Sequence, residues 1–188
     1  MKLTGKTLTL SGQMPKRSFN QQLFRDPYTI LEYANVLDIN KAWRLKDFKC
    51  WIQEDGRDLG VMTENATFGL DVQLSTDDIP NSADWNNAGD NRAVAWGTLA
   101  YALSDTYSGK TQVFSGFQRM LLNSEYFVQP EHVIQNKLTI SAASAGQNSE
   151  IEGLNGYTLN YLVYLEEIEI TPSESIIYNI KGKAQDVS

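Results

Sequence analysis

The sequence predicts an all-β protein, a single antiparallel β-sandwich of the jelly-roll kind with a short C-terminal α-helix. Three observations predict it. Apolar residues recur mostly with a period of two rather than 3.6. The alternating runs are short and separated by polar clusters rich in Gly, Asn, Asp and Ser. One stretch near the C-terminus carries a helix-start signature. The 188 residues, 41% of them hydrophobic, suit one domain with a full core. No repeat, low-complexity tract or linker divides residues 1–188.

Taken in order, "LTGKTLTLS" sets Leu3, Thr7 and Thr9 against Leu8 and Leu10 and reads as an N-terminal strand. Residues 1–26 form an N-terminal strand or arm. "AWRLKDFKCWI" alternates but changes phase: Trp43 and Leu45 are odd, Phe48, Cys50 and Ile52 even. One extra residue near Lys46–Asp47, a β-bulge or bend, reconciles the two sets. In "TFGLDVQLS", Phe68, Leu70, Val72 and Leu74 share the dry face, and Gly69, Asp71 and Gln73 the wet one.

"AVAWGTLAYAL" (93–103) reads as a buried strand, with a short helix as the alternative, and "TQVFSGFQRMLL" is similarly ambiguous. "HVIQNKLTISAAS" reads as one strand. Asn155–Gly156 marks a hairpin before the last strand, Tyr157 to Ile170. There Tyr157, Leu159, Tyr161, Val163 and Leu165 line one face. Leu162 and Tyr164 make the middle apolar on both sides, as a central strand requires. The phase then shifts to place Ile168 and Ile170 inward and Glu167 and Glu169 outward. Residues 171–188 form the helix and tail. In "TPSE", Thr171 fits the N-cap, Pro172 the first helical position and Glu174 the third. Ile176, Ile177 and Ile180 follow at helical spacing, then Ala184.

Few catalytic chemistries fit. Cys50, the only cysteine, lies between large apolar residues as a structural thiol, and the lone histidine, His132, is structural or surface. Two such residues far apart do not make a zinc site. Asp77, Asp78, Asp84 and Asp90 could offer oxygen to calcium. However, "DWNNAGDNRAVA" has Ala88 and Ala95 where an EF-hand loop needs ligands. Glu167 and Glu169 share a strand face and could serve a glycosidase, but a solvated sheet edge is by far the better explanation of them. No G-x-S-x-G, P-loop or G-x-G-x-x-G motif occurs. The expectation is a non-enzyme with no catalytic, metal or cofactor-binding residues.

Trp43, Trp51 and Trp96 fall within strand patterns and are expected in the core. Trp85 stands in the long polar loop 76–92, where it plugs its own domain, meets a protein partner or stacks on a ligand. Candidate partner contacts are therefore Trp85, Asp84 and Asn86 in that loop, and Ile176, Ile177 and Ile180 on the helix. A net charge of −7 disfavours nucleic acid as a direct partner. "MKLTGKTLTLS" lacks the apolar core of a signal peptide, and no run is long enough to span a bilayer. Synthesis in the cytoplasm is expected.

The order of four segments resembles small coat proteins of tailless bacterial and archaeal viruses. They are "INKAWRLKDFKCWI", "LSTDDIPNSADWNNAGDNRAVAWGTLAY", "LLNSEYFVQPEHVIQNKLTI" and "LNYLVYLEEIEITPSESIIYNIKGKAQDV". The resemblance implies one jelly roll, copies assembling edge to edge into an icosahedral shell, and a place in the virion. Partners would be other copies, with or without a second coat protein. The first twenty residues carry only Lys2, Lys6, Lys16 and Arg17. Such a subunit would not condense the genome directly, and an internal membrane or another protein could lie between. The helix would fill a seam within the subunit or across to a neighbour. A carbohydrate-binding sandwich or a viral attachment protein is the alternative.

Overall fold

The computed structural model describes residues 1–14, 24–32, 40–52, 66–79, 86–103, 119–146 and 159–181. In chain order these form β1 (Lys2–Gln13), β2 (Phe24–Glu32), β3 (Lys41–Ile52), β4 (Ala66–Ser75), β5 (Ala93–Leu103), β6 (Arg119–Val128), β7 (Val133–Ile134), β8 (Lys137–Gly146), β9 (Leu159–Glu169) and α1 (Pro172–Lys181). The expected hairpin at Asn155–Gly156, together with Tyr157, Ala184, Asp84 and Trp85, lies outside the described residues.

Two antiparallel sheets face each other. One has the order β1-β9-β3-β7 and the other β2-β8-β4-β5-β6. The pairings are nested: β1 with β9, β2 with β8, β3 with β7, and β4 with β5. β6 is added on the outer edge of β5. Between the sheets lie Leu45, Phe48, Val163 and Leu165 from one side and Leu70, Val72, Leu74, Leu99, Leu138 and Ile140 from the other. All are at most 3% exposed, so the alternation seen in the sequence is the inner face of a sandwich. The 93–103 segment is a strand, not a helix.

The phase change in β3 is a real irregularity. Leu45 pairs with Leu165 and Asp47 with Tyr164, so Lys46 is the extra residue. Phe48 and Cys50 thereby stay buried. A second irregularity falls between Leu3 and Thr7, where Gly5 takes a positive φ of 83° that suits glycine.

Four expectations are corrected. "HVIQNKLTISAAS" is two strands in opposite sheets, β7 and β8, with a bend at Gln135–Asn136. Gln73 is fully buried rather than wet, because the 86–92 segment folds over it and the Asn86 N–H donates to its Oε1 at 2.9 Å. Trp51 is 46% exposed and lies outside the core. Finally, β9 does not change phase. Leu165 and Glu167 remain on the sandwich side, and Ile168 and Ile170 belong to the opposite face. There they form a second small core with Ala42, Val133 and Tyr178 of α1.

Candidate functional site

The helix begins where its sequence signature places it. The Glu174 N–H donates to Thr171 Oγ1 at 3.2 Å, and the Thr171 N–H donates to Glu174 Oε2 at 2.8 Å. This reciprocal capping satisfies donors that the first helical turn would leave orphaned. The Thr171 N–H and the Thr171 hydroxyl, both donating to the Glu174 carboxylate, hold it below the usual carboxylate range. The Met1 ammonium, 3.9 Å from Glu174, adds to the effect.

The helix meets the sandwich through its polar side. Ser175 is its buried residue, and the Gln135 amide donates to Ser175 Oγ at 2.7 Å. Asn136 Nδ2 donates to Asn179 Oδ1 at 2.8 Å. Tyr178 packs on the small core of Ala42, Val133, Ile168 and Ile170. Two side-chain bonds from the bend between β7 and β8 thus fix the rotation of α1 about its axis.

That rotation turns the apolar stripe outward. Successive residues advance about 100° around a helix. Ile176, Ile180 and Ile177 therefore occupy an arc of about 100° centred roughly opposite Ser175. They are 63, 63 and 52% exposed. The expected stripe exists, but it does not seal the helix onto its own sandwich. Met1 and Leu3, at the end of the chain that touches Glu174 and Tyr178, are also more than half exposed. Exposed apolar groups clustered on one element mark interaction surfaces.

The loop candidates lie elsewhere. Asn86 is exposed, with φ of 62°, and is tied to Gln73 on the outer face of the β2-containing sheet. The isoleucines are carried by a helix packed on the other sheet. Asp90 is not aimed at a cation site. Its carboxylate accepts from Arg92 Nη2 at 2.6 Å and Nε at 3.0 Å, with both residues buried. Burial alone would raise the Asp90 pKa, but the Arg92 hydrogen bonds and charge outweigh it and the net shift is downward. Asp78 accepts from Lys137 Nζ at 2.6 Å. That contact, with Thr139 Oγ1 donating to the Asp77 carbonyl at 3.4 Å, ties the described start of the loop to β8.

The glutamates of β9 are occupied too. Glu166 takes Lys46 at 2.9 Å and Arg44 at 3.1 Å, which lowers its pKa. Glu167 accepts from Thr4 Oγ1 at 2.8 Å, and Glu169 is exposed. Cys50 is 4% exposed, and burial drives its thiol pKa upward, away from the reactive thiolate. His132 is pushed down to about 4 by burial and by the charge of Lys181. Among the described residues, no three His, Cys, Asp or Glu side chains converge as metal ligands. No helix among them is long and apolar enough to cross a membrane.

Sequence reasoning found the stripe and left open whether it faces its own sandwich or a partner. The available signal was the polar i, i+4 pair Ser175 and Asn179 on the opposite side of the helix. The sequence matches no protein-family model and no curated protein.

Proposed function

We propose that this chain is a self-assembling coat subunit of a tailless icosahedral virus. The observation that carries the reading is the exposed isoleucine stripe on a helix that is already docked by its polar face. A soluble monomer has no use for such a stripe, whereas a subunit that meets copies of itself does. The strand order supports a jelly roll in particular. Nested pairing of β1 with β9, β2 with β8, β3 with β7 and β4 with β5 is what results when one long antiparallel ribbon rolls up into two sheets. β6 is then an addition at the edge. The jelly roll recurs in viral capsid and lectin domains. On this reading the partners are other copies, with or without a second coat protein, with no direct role for nucleic acid, and the protein resides in the virion.

Negative-stain electron microscopy of purified protein, alone and with the products of neighbouring genes, tests the reading. Closed particles or discrete ring-like oligomers of uniform size are expected. Protein that stays monomeric at every concentration and in every mixture refutes it.

One observation favours carbohydrate binding as a second reading. Trp51 and Tyr164 both project from the outer face of the β1-containing sheet, 46 and 36% exposed, and Asn160 lies in register with Trp51. Aromatic rings flanked by amides suit sugar stacking. Glycan-array binding lost in Trp51→Ala would support that reading, and an array without hits would remove it.

A further inference from the structure

The self-assembly reading leaves open what meets the helix. Resting on that reading, we infer that the isoleucine stripe of α1 packs antiparallel against the same stripe of a second copy, across a two-fold axis near Tyr178.

Charge placement selects this occupant and this direction. Glu174 and Lys181 are the acidic residue of the first turn and the basic residue of the last. They stand seven residues apart, so both lie on one flank of the stripe, beside Ile177. In an antiparallel pair, like flanks face each other. Each Glu174 then approaches the partner subunit's Lys181, on both sides of the axis. Parallel pairing would set this flank against the opposite one, which carries Pro172 and Asn179 and no charge. The antiparallel arrangement also opposes the two helix dipoles favourably.

The patch is small. Three isoleucines fall well short of the roughly 800 Å² that each partner buries in a stable complex. A single two-fold contact is therefore weak, and repetition in a closed assembly multiplies its strength. A lipid surface suits the helix less well. Its polar side carries one lysine among Ser, Asn and Glu, on a chain of net charge −7.

Cysteine cross-linking provides the test, because the native background is quiet: Cys50 is the only cysteine and is buried. Ile177→Cys sits near the proposed axis and should form a reducible disulfide dimer on mild oxidation. A mixture of Ile176→Cys and Ile180→Cys should cross-link more than either variant alone. Lys181→Glu should weaken self-association by about fivefold, as expected when two exposed ion pairs become repulsive. These side chains are exposed, so the variants should melt like the wild type.

Uniform particles from Ile177→Cys protein without any cross-link would overturn the helix pairing and leave the coat-subunit reading intact. Ile176→Cys linking to itself better than to Ile180→Cys would overturn the antiparallel direction. Binding to phosphatidylcholine–phosphatidylglycerol vesicles that Ile177→Asp abolishes, without cross-linking, would overturn the pairing in favour of lipid. A monomer that never cross-links would overturn both the pairing and the coat-subunit reading.

Discussion

Deleting one oxygen should loosen the seam between the two sheets. Beyond Arg44, β3 runs past the end of its short partner β7. The backbone at Cys50 is instead served by Tyr126 of β6, in the opposite sheet. The Cys50 N–H donates to the phenol oxygen at 3.1 Å, and the phenol O–H donates to the Cys50 carbonyl at 2.8 Å. The Tyr126 ring also meets Phe48 edge-on, with centroids 5.0 Å apart and planes at 84°. Tyr126→Phe keeps the ring contact and removes both hydrogen bonds. At about 1 kcal/mol for each bond, with extra cost for backbone groups left unpaired, the loss is about 2–3 kcal/mol. For a chain of this length that lowers Tm by about 4–12 °C. Thermal and urea unfolding measure it, and native-state hydrogen exchange at the Cys50 amide localises it. A variant within about 0.5 kcal/mol of wild type, the range of neutral surface changes, would refute the clamp. Gly97 supplies a control on the same contact. A Cβ there would sit 2.9 Å from Tyr126 and 3.0 Å from Phe48. Gly97→Ala should therefore cost about 1–3 kcal/mol by overpacking. Its effect should be non-additive with Tyr126→Phe, since the two share one neighbour.

Arg92→Met should destabilise by about 3–5 kcal/mol, because it leaves the buried Asp90 carboxylate unpaired; urea unfolding at neutral pH measures this. The Asp90 pKa is lowered in the folded state, so the stability it contributes is full above its unfolded value and is lost as pH falls through the lower folded one. His132 acts in a different window. Its folded value of about 4 lies below the ordinary 6.5, so acidification favours the unfolded chain from pH 6.5 down to pH 4, by about 3 kcal/mol in all. His132→Asn should flatten that part of the stability–pH curve, as followed by denaturant midpoints. Thr171→Ala should remove about 1 kcal/mol of helix capping and speed hydrogen exchange in α1, with little effect on the strands.

Residues whose sequence pattern had a local cause were legible. The bulge at Lys46 showed because an apolar alternation cannot change parity without an extra residue. The start of α1 showed because Thr171, Pro172 and Glu174 act within one turn. What stayed hidden depended on contacts far along the chain. Val133 and Ile134 are both buried, the first under α1 and the second in the sandwich, so period two vanishes there. The bend that separates them from β8, Gln135–Asn136, contains neither glycine nor proline. Ile168 and Ile170 are apolar because the helix returns over the outer face of β9, which no local rule foretells. The direction of the isoleucines stayed open for the same reason, since it is set by Gln135 and Asn136, some forty residues earlier. On β4, Gln73 looked solvent-facing by parity and is buried by the loop that follows.

Sedimentation velocity on wild-type protein beside the Ile176→Ser, Ile177→Ser, Ile180→Ser triple variant, over a wide concentration range, tests most directly whether the helix is an assembly surface. Wild type should shift to larger species as concentration rises, while the variant remains a monomer with an unchanged Tm. Equal assembly of the two proteins, or a variant that unfolds because those isoleucines were packed after all, would contradict it.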